Sequence, residues 1–171
     1  LETEKTYGEH IQMDDFQHSV YIAGPFFNPK QLKLIETIEE TLDWIGIPYF
    51  SPRSFGSLGE MGTEERVAAI KSVYAENVAQ ITGNQVMLAV IDDNDVGTIW
   101  EMGYASKLKQ MDETRRLITM SDQGYGMNIM LRECVDAHLH GFKNFNRCMV
   151  MSTRHEDFDG DKFMADRGEA W

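Results

Sequence analysis

Apolar positions along the 171-residue chain alternate between compact runs and longer stretches with a spacing of three or four. "SVYIAG" (19–24) is a β-branched and aromatic run closed by Gly24-Pro25, which predicts a buried strand and then a turn. Asn28-Pro29 has the form of an N-cap with Pro at the first helical position. Leu32, Ile35, Ile38, Leu42 and Ile45 then draw one apolar helix face that ends near Gly46. "IPYFSP" (47–52) predicts a short second strand, and Pro48 places it near an edge. A Ser- and Gly-rich loop over 53–62 leads to Thr63, Glu64 and Glu65, acids at the positive end of a long helix. Val67, Ile70, Val73, Val78 and Ile81 supply its expected core face, and Gly83-Asn84 stops it.

"QVMLAVI" (85–91) is nearly continuous in apolar residues, as a strand covered on both faces requires. An acidic loop follows, then a helix over 98–109 capped by Thr98, a strand "RLITMS" (116–121) and a helix over 128–140. "FNRCMVM" near the end supplies a fifth strand. This β-α rhythm predicts an α/β fold with a doubly wound, mostly parallel five-stranded sheet, flavodoxin- or Rossmann-like, with helices on both faces. Ligands of such sheets bind outside the carboxyl ends of the strands, which singles out the loops 24–29, 51–62 and 92–98.

Composition narrows the partners. The chain fits one domain over 13–171, behind a polar segment 1–12 that reads as a loose arm or tag remnant without the apolar core of a signal peptide. Cys134 and Cys148 are too few for a disulfide framework and read as free thiols of a cytoplasmic protein. No metal-ligand spacing and no cofactor motif stands out, and no apolar run approaches membrane-spanning length. A net charge of −12 argues against nucleic acid as a partner.

Candidate chemistry concentrates in "DDNDVGTIWEMGYA". Gly97 permits a tight turn, and Glu101 lies six residues after Asp95, so both carboxylates can face one crevice. An acidic first turn also favours the helix dipole without any function. Glu101, however, is set among Ile99, Trp100, Met102 and Tyr104, where an idle carboxylate is costly. In "VYIAGPFFNPK", Tyr21 either packs or orients a neighbouring carboxylate, and Phe26 and Phe27 either plug the core or sandwich a planar ring. Asn128 reads as a helix cap. His138 and His140, two apart on an expected helix, read as surface residues, and Asp92, Asp93 and Asn94 as a polar turn.

Together, "VYIAGPFF", "ENVAQITGNQVMLAVI", "DNDVGTIWEMGYA" and "MNIMLRECVD", in this order and spacing, resemble the nucleoside 2-deoxyribosyltransferase family over most of 19–171. The resemblance implies Glu101 as the nucleophile at C1′ of a 2′-deoxynucleoside, Asp95 as the acid that binds substrate and moves protons, and Tyr21 as the residue orienting Glu101. It further implies small-molecule substrates (2′-deoxynucleosides and free nucleobases), and a homo-oligomer built from dimers, up to a hexamer. Its sites would be shared, with Asn128 and the carboxylate of Trp171 reaching a neighbour's site. Where some members carry a further substrate-binding Asp, this chain has Asn77. Two rivals remain: a 2′-deoxynucleoside 5′-monophosphate hydrolase, with Ser51, Arg53 and Ser54 for the phosphate, and a non-catalytic nucleotide-binding domain.

Overall fold

The computed structural model describes residues 19–56, 62–122 and 127–151, with side chains to residue 146. The segment 1–12, Cys148 and Trp171 lie outside the described side chains. Five parallel strands form one sheet: β1 (Val20–Ala23), β2 (Tyr49–Phe50), β3 (Val86–Val90), β4 (Arg116–Ser121) and β5 (Ala137–His140). Their order is β2-β1-β3-β4-β5, so the winding direction reverses between β1 and β3. The fold is the expected doubly wound α/β sheet, and its switch point lies at the carboxyl ends of those two strands.

Strand alternation sorts the core into two layers. Val20 and Ile22 of β1, with Leu88 and Val90 of β3, pack under α1 (Pro29–Ile45) and α5 (Gly141–Met151). Tyr21 and Ala23, with Met87 and Ala89, face the other way, toward α2 (Thr63–Gly83), α3 (Val96–Met111) and α4 (Ile129–Cys134). Helix α1 follows its sequence signals: the Asn28 side chain accepts from Gln31 N, Pro29 opens the helix, and Gly46 closes it at φ 83°.

Three regions depart from expectation. Residues 128–140 are not one helix, and "FNRCMVM" is not a strand. Helix α4 ends at Cys134, β5 follows at once, and 145–151 lie in α5. The strand was hidden because its alternation places a polar residue inside. Ala137 and Leu139 enter the α1/α5 core, while His138 is buried on the opposite face with Nδ1 3.0 Å from Thr119 Oγ1. His138 is therefore not a surface residue; His140 shares its strand face but lies at the strand end and is exposed. In α5, Phe142 and Phe145 meet at helical spacing, ring centroids 5.4 Å apart.

Helix α2 departs differently. Of the five residues expected in its core face only Ile81 is buried, and Val67 and Ile70 are about half exposed, at 48% and 47%. The stripe is helical as predicted, with Val73 and Val78 half-buried and only Ile81 in the core.

The third region is the start of α3. Asp95, not Thr98, is the N-cap, its Oδ2 accepting from Thr98 N at 2.7 Å and from Thr98 Oγ1 at 2.9 Å. Gly97 is helical, so it is not there for a turn. A Cβ at this position would stand 3.0 Å from Asp95 Oδ2, and glycine leaves that carboxylate room.

Candidate active site

Tyr21 is fully buried on β1, on the face covered by α3. Glu101 lies three residues past the buried Thr98 and next to the buried Met102, which turns it toward the sheet. The two meet across 80 residues of chain: Tyr21 Oη donates to Glu101 Oε1 at 2.7 Å. Phe50 of β2 stacks on the Tyr21 ring, centroids 5.7 Å apart and 21° between planes, and Phe55 meets Phe50 edge-on. The phenol is thereby held from the side as well as from behind.

Electrostatics makes this an unusual carboxylate. Burial pushes the Glu101 carboxyl from 4.5 up to about 7; the Tyr21 hydrogen bond pulls it down, and the charge of Asp95 pushes it further up. Burial, then the charge of Glu101, drive the Tyr21 phenol far above its ordinary range, so it stays protonated and remains the donor. Glu101 can therefore exist as a poorly solvated carboxylate with one oxygen fixed, a suitable state for nucleophilic attack or proton transfer.

The remaining predicted residues fall into groups. Asp95 and Gly97 sit at the start of α3, the helix that carries Glu101. Phe26 and Phe27 follow β1 as a tilted pair with centroids 5.3 Å apart. Phe27 is 73% exposed, so it does not plug the core. Asn77 lies on α2, partly buried, with its Oδ1 shielded from solvent and without a hydrogen-bond partner. Asn128 is the exposed N-cap of α4, its Oδ1 accepting from Met130 N at 2.9 Å. Among the described residues no group of three His, Cys, Asp or Glu is arranged to hold a metal ion, and no helix is long and apolar enough to cross a membrane.

Sequence reasoning passed over the residues that hold this loop cluster together. Asp92 is not a solvated turn residue: it is buried, its two oxygens accepting from Ser121 Oγ at 2.7 Å and Asp122 N at 3.0 Å. Asp93 accepts from Gln31 Nε2 at 2.9 Å. Gln31 had a signal, the Asn28-x-x-Gln31 spacing of a capping box. Asp92 had none, since nothing local tells a buried loop aspartate from an exposed one.

The nucleoside 2-deoxyribosyltransferase family model matches residues 20–130, which carry Tyr21, Asp95 and Glu101. The chain belongs to this family. Among solved structures, a 2-deoxyribosyltransferase from Bacillus psychrosaccharolyticus is similar at 25% identity and a TM-score of 0.64, over 75% of this chain and 90% of that one. A 2-desoxiribosyltransferase from Leishmania mexicana (18% identity, TM-score 0.47, 70% of this chain and 73% of that one) is more distant. So is the CMP N-glycosidase BcmB from Clostridium botulinum (16%, 0.47, 75% and 93%). Comparison with curated protein sequences gave no match. Membership of the nucleoside 2-deoxyribosyltransferase family supports an enzyme acting on N-glycosidic bonds of small-molecule nucleosides.

Proposed function

We propose that the protein transfers the 2-deoxyribosyl group between nucleobases of 2′-deoxynucleosides. The observation that carries this reading is the partly buried Glu101 carboxyl held 2.7 Å from Tyr21 Oη, beside the switch point of the sheet. In the proposed reaction a Glu101 oxygen bonds to C1′ while the C1′–N bond breaks, and the bonding pair leaves with the base. The departing nitrogen gains a proton by way of Asp95. A second base then attacks C1′ and gives up its proton, and the carboxylate is released, so the two inversions leave configuration retained. Phe26 and Phe27 supply a platform for a planar base, and Asn77 would reach the substrate once its shielded, unpartnered Oδ1 is uncovered. Gly97 keeps the Asp95 carboxylate unobstructed.

An unphosphorylated substrate is favoured by the state of Arg53. Its Nε donates to both Glu39 oxygens at 3.1 Å, and Nη1 stands 3.6 Å from Glu36, so the guanidinium is already matched by carboxylates. Incubation with thymidine and adenine should yield deoxyadenosine and thymine. Release of thymine and free deoxyribose alone would replace the transferase by a hydrolase, and no turnover of any deoxynucleoside would leave the non-catalytic reading.

The same proposal includes assembly with a second copy. Val67, Ile70 and Tyr74 form an exposed stripe on α2 at helical spacing, and Tyr74 touches Trp100 of α3, centroids 5.7 Å apart. Trp100 in turn stacks on Tyr104, so a copy seated here would cover the α2 and α3 surface on the helix that carries Glu101. An apolar stripe on so acidic a chain suits a like surface better than a charged partner. In that arrangement Asn128, and Trp171 beyond the described residues, would serve the neighbour's site. Sedimentation should give a mass of at least two chains, reduced to one by Ile70→Asp with Tyr74→Asp. An unchanged mass in the double variant would place the interface elsewhere.

A further inference from the structure

Gln31 occupies the third position of α1, where a capping-box side chain ordinarily turns back to the N–H of the cap residue. Here it reaches one residue further. Phe27 N donates to Gln31 Oε1 at 2.9 Å, while Asn28 Oδ1 accepts from Gln31 N at 3.0 Å. Because the amide oxygen is taken by an N–H, its nitrogen must point away, and it donates to Asp93 Oδ2 at 2.9 Å. One amide therefore spans 62 residues of sequence, from the aromatic loop after β1 to the acidic loop after β3. Beneath it lies a shallow hollow lined by Pro25, Lys30, Leu34, Val90 and Asp92.

The far end of the bridge is the acidic loop. Asp93 and Asn94 both have positive φ, 68° and 49°, a left-handed conformation that Asp and Asn adopt more readily than other residues with a Cβ. The Asp92 carboxylate ties this loop to the end of β4, Asp95 caps α3, and Asp93 reaches back to Gln31. Asp93 is only two residues from Asp95, so the bridge sets the aromatic pair Phe26 and Phe27 at a fixed separation from the acid.

We propose that Gln31 is a positioning residue, whose side-chain amide locks the aromatic loop to the acidic loop so that base platform and proton-transferring acid are presented as one unit. The inference rests on the transferase reading of the site. It assigns Gln31 no contact with reacting atoms; its action runs through Phe27 and Asp93.

The test reverses the polarity of the bridge. Gln31→Glu keeps an acceptor for Phe27 N but sets a carboxylate oxygen against Asp93, which forces the loops apart. Asp93→Asn alone still offers an acceptor to the Gln31 amide. The double variant rebuilds the bridge with its donor on the other side, a cycle that isolates the pair. Gln31→Glu should raise KM for the deoxynucleoside and for the acceptor base by roughly tenfold with a smaller change in kcat, as expected when binding geometry loosens while the chemistry is spared. Asp93→Asn should fall between the two, and the double variant should return to within about threefold of the parent. Amide exchange gives a second readout, with Phe27 N–H protected in the parent, unprotected in Gln31→Glu and protected again in the double variant. Unchanged KM in Gln31→Glu, or a double variant no better than it, overturns the role alone. An absence of turnover by the parent overturns the transferase reading, and this role with it.

Discussion

Replacing Glu101 by Gln is expected to abolish base exchange and, at alkaline pH, to make the protein more stable. On the proposed mechanism the carboxylate forms the bond to C1′, and an amide cannot, so the rate should fall by roughly 10⁴-fold or more. The stability gain follows from the same burial. Burial raises the Glu101 carboxyl from 4.5 to about 7, so the folded chain holds this proton more tightly than the unfolded one. A group with a raised folded pKa contributes stability below its unfolded value and loses it as pH rises through the folded value. Between pH 4.5 and about 7 the carboxylate therefore becomes a growing burden, reaching at most about 3 kcal/mol above that window. Gln does not ionise, and its oxygen still accepts from Tyr21. For a chain of this size the gain at pH 8 corresponds to a rise in Tm of roughly 5–10 °C, vanishing near pH 4.5. Melting curves at both pH values check it; a stability difference independent of pH would contradict the assigned burial cost. Such a trade of stability for activity is the usual mark of a buried reactive group.

Tyr21→Phe and Asp95→Asn should move the acidic limb of the pH–rate profile in opposite directions. The Tyr21 hydrogen bond lowers the Glu101 carboxyl, so its loss raises the pH at which the nucleophile ionises. It also frees the carboxylate to turn, and a hydrogen bond to a charged group of this kind is worth roughly 10- to 100-fold in rate. The Asp95 charge acts the other way, raising Glu101, so Asp95→Asn should let the nucleophile ionise at lower pH. Its rate should nonetheless fall by about 10²- to 10⁴-fold at every pH, because an amide cannot shuttle the base's proton. Asn retains an oxygen for Thr98 N and leaves the α3 cap in place, which separates loss of chemistry from loss of structure. Profiles of kcat/KM between pH 5 and 9 read both variants; shifts in the same direction would refute the opposed roles of the two neighbours.

The legibility of this site in the sequence was uneven for physical reasons. Tyr21, Asp95, Gly97 and Glu101 lie in motifs whose local pattern already predicted strand, turn and helix, and the strand-end rule brought those loops together. Asp92 and Asp93 belong to the same cluster but carried no such pattern, and the capping-box spacing of Gln31 gave no hint of its reach to Asp93. Each acts on a partner 29 to 62 residues away, and a turn rich in acids looks the same whether it is solvated or bonded. Gly97 was noticed for the wrong cause: the need is clearance beside Asp95, which only the folded neighbour reveals.

Periodicity alone determined the parallel α/β class, β1 through β4 and the three long helices α1, α2 and α3, because strand and helix repeats are properties of nearest neighbours along the chain. It misplaced β5, where the polar side chain of His138 is accepted inside by Thr119 of the adjacent strand. It also placed the whole α2 stripe in the core, since a helical pattern states which face is apolar and not what covers it. Tertiary structure decided those points, and it decided the site. The union of Tyr21 with Glu101 across 80 residues, and the desolvation that lifts the carboxyl to about 7, depend on distance and burial, which the linear order of residues does not contain.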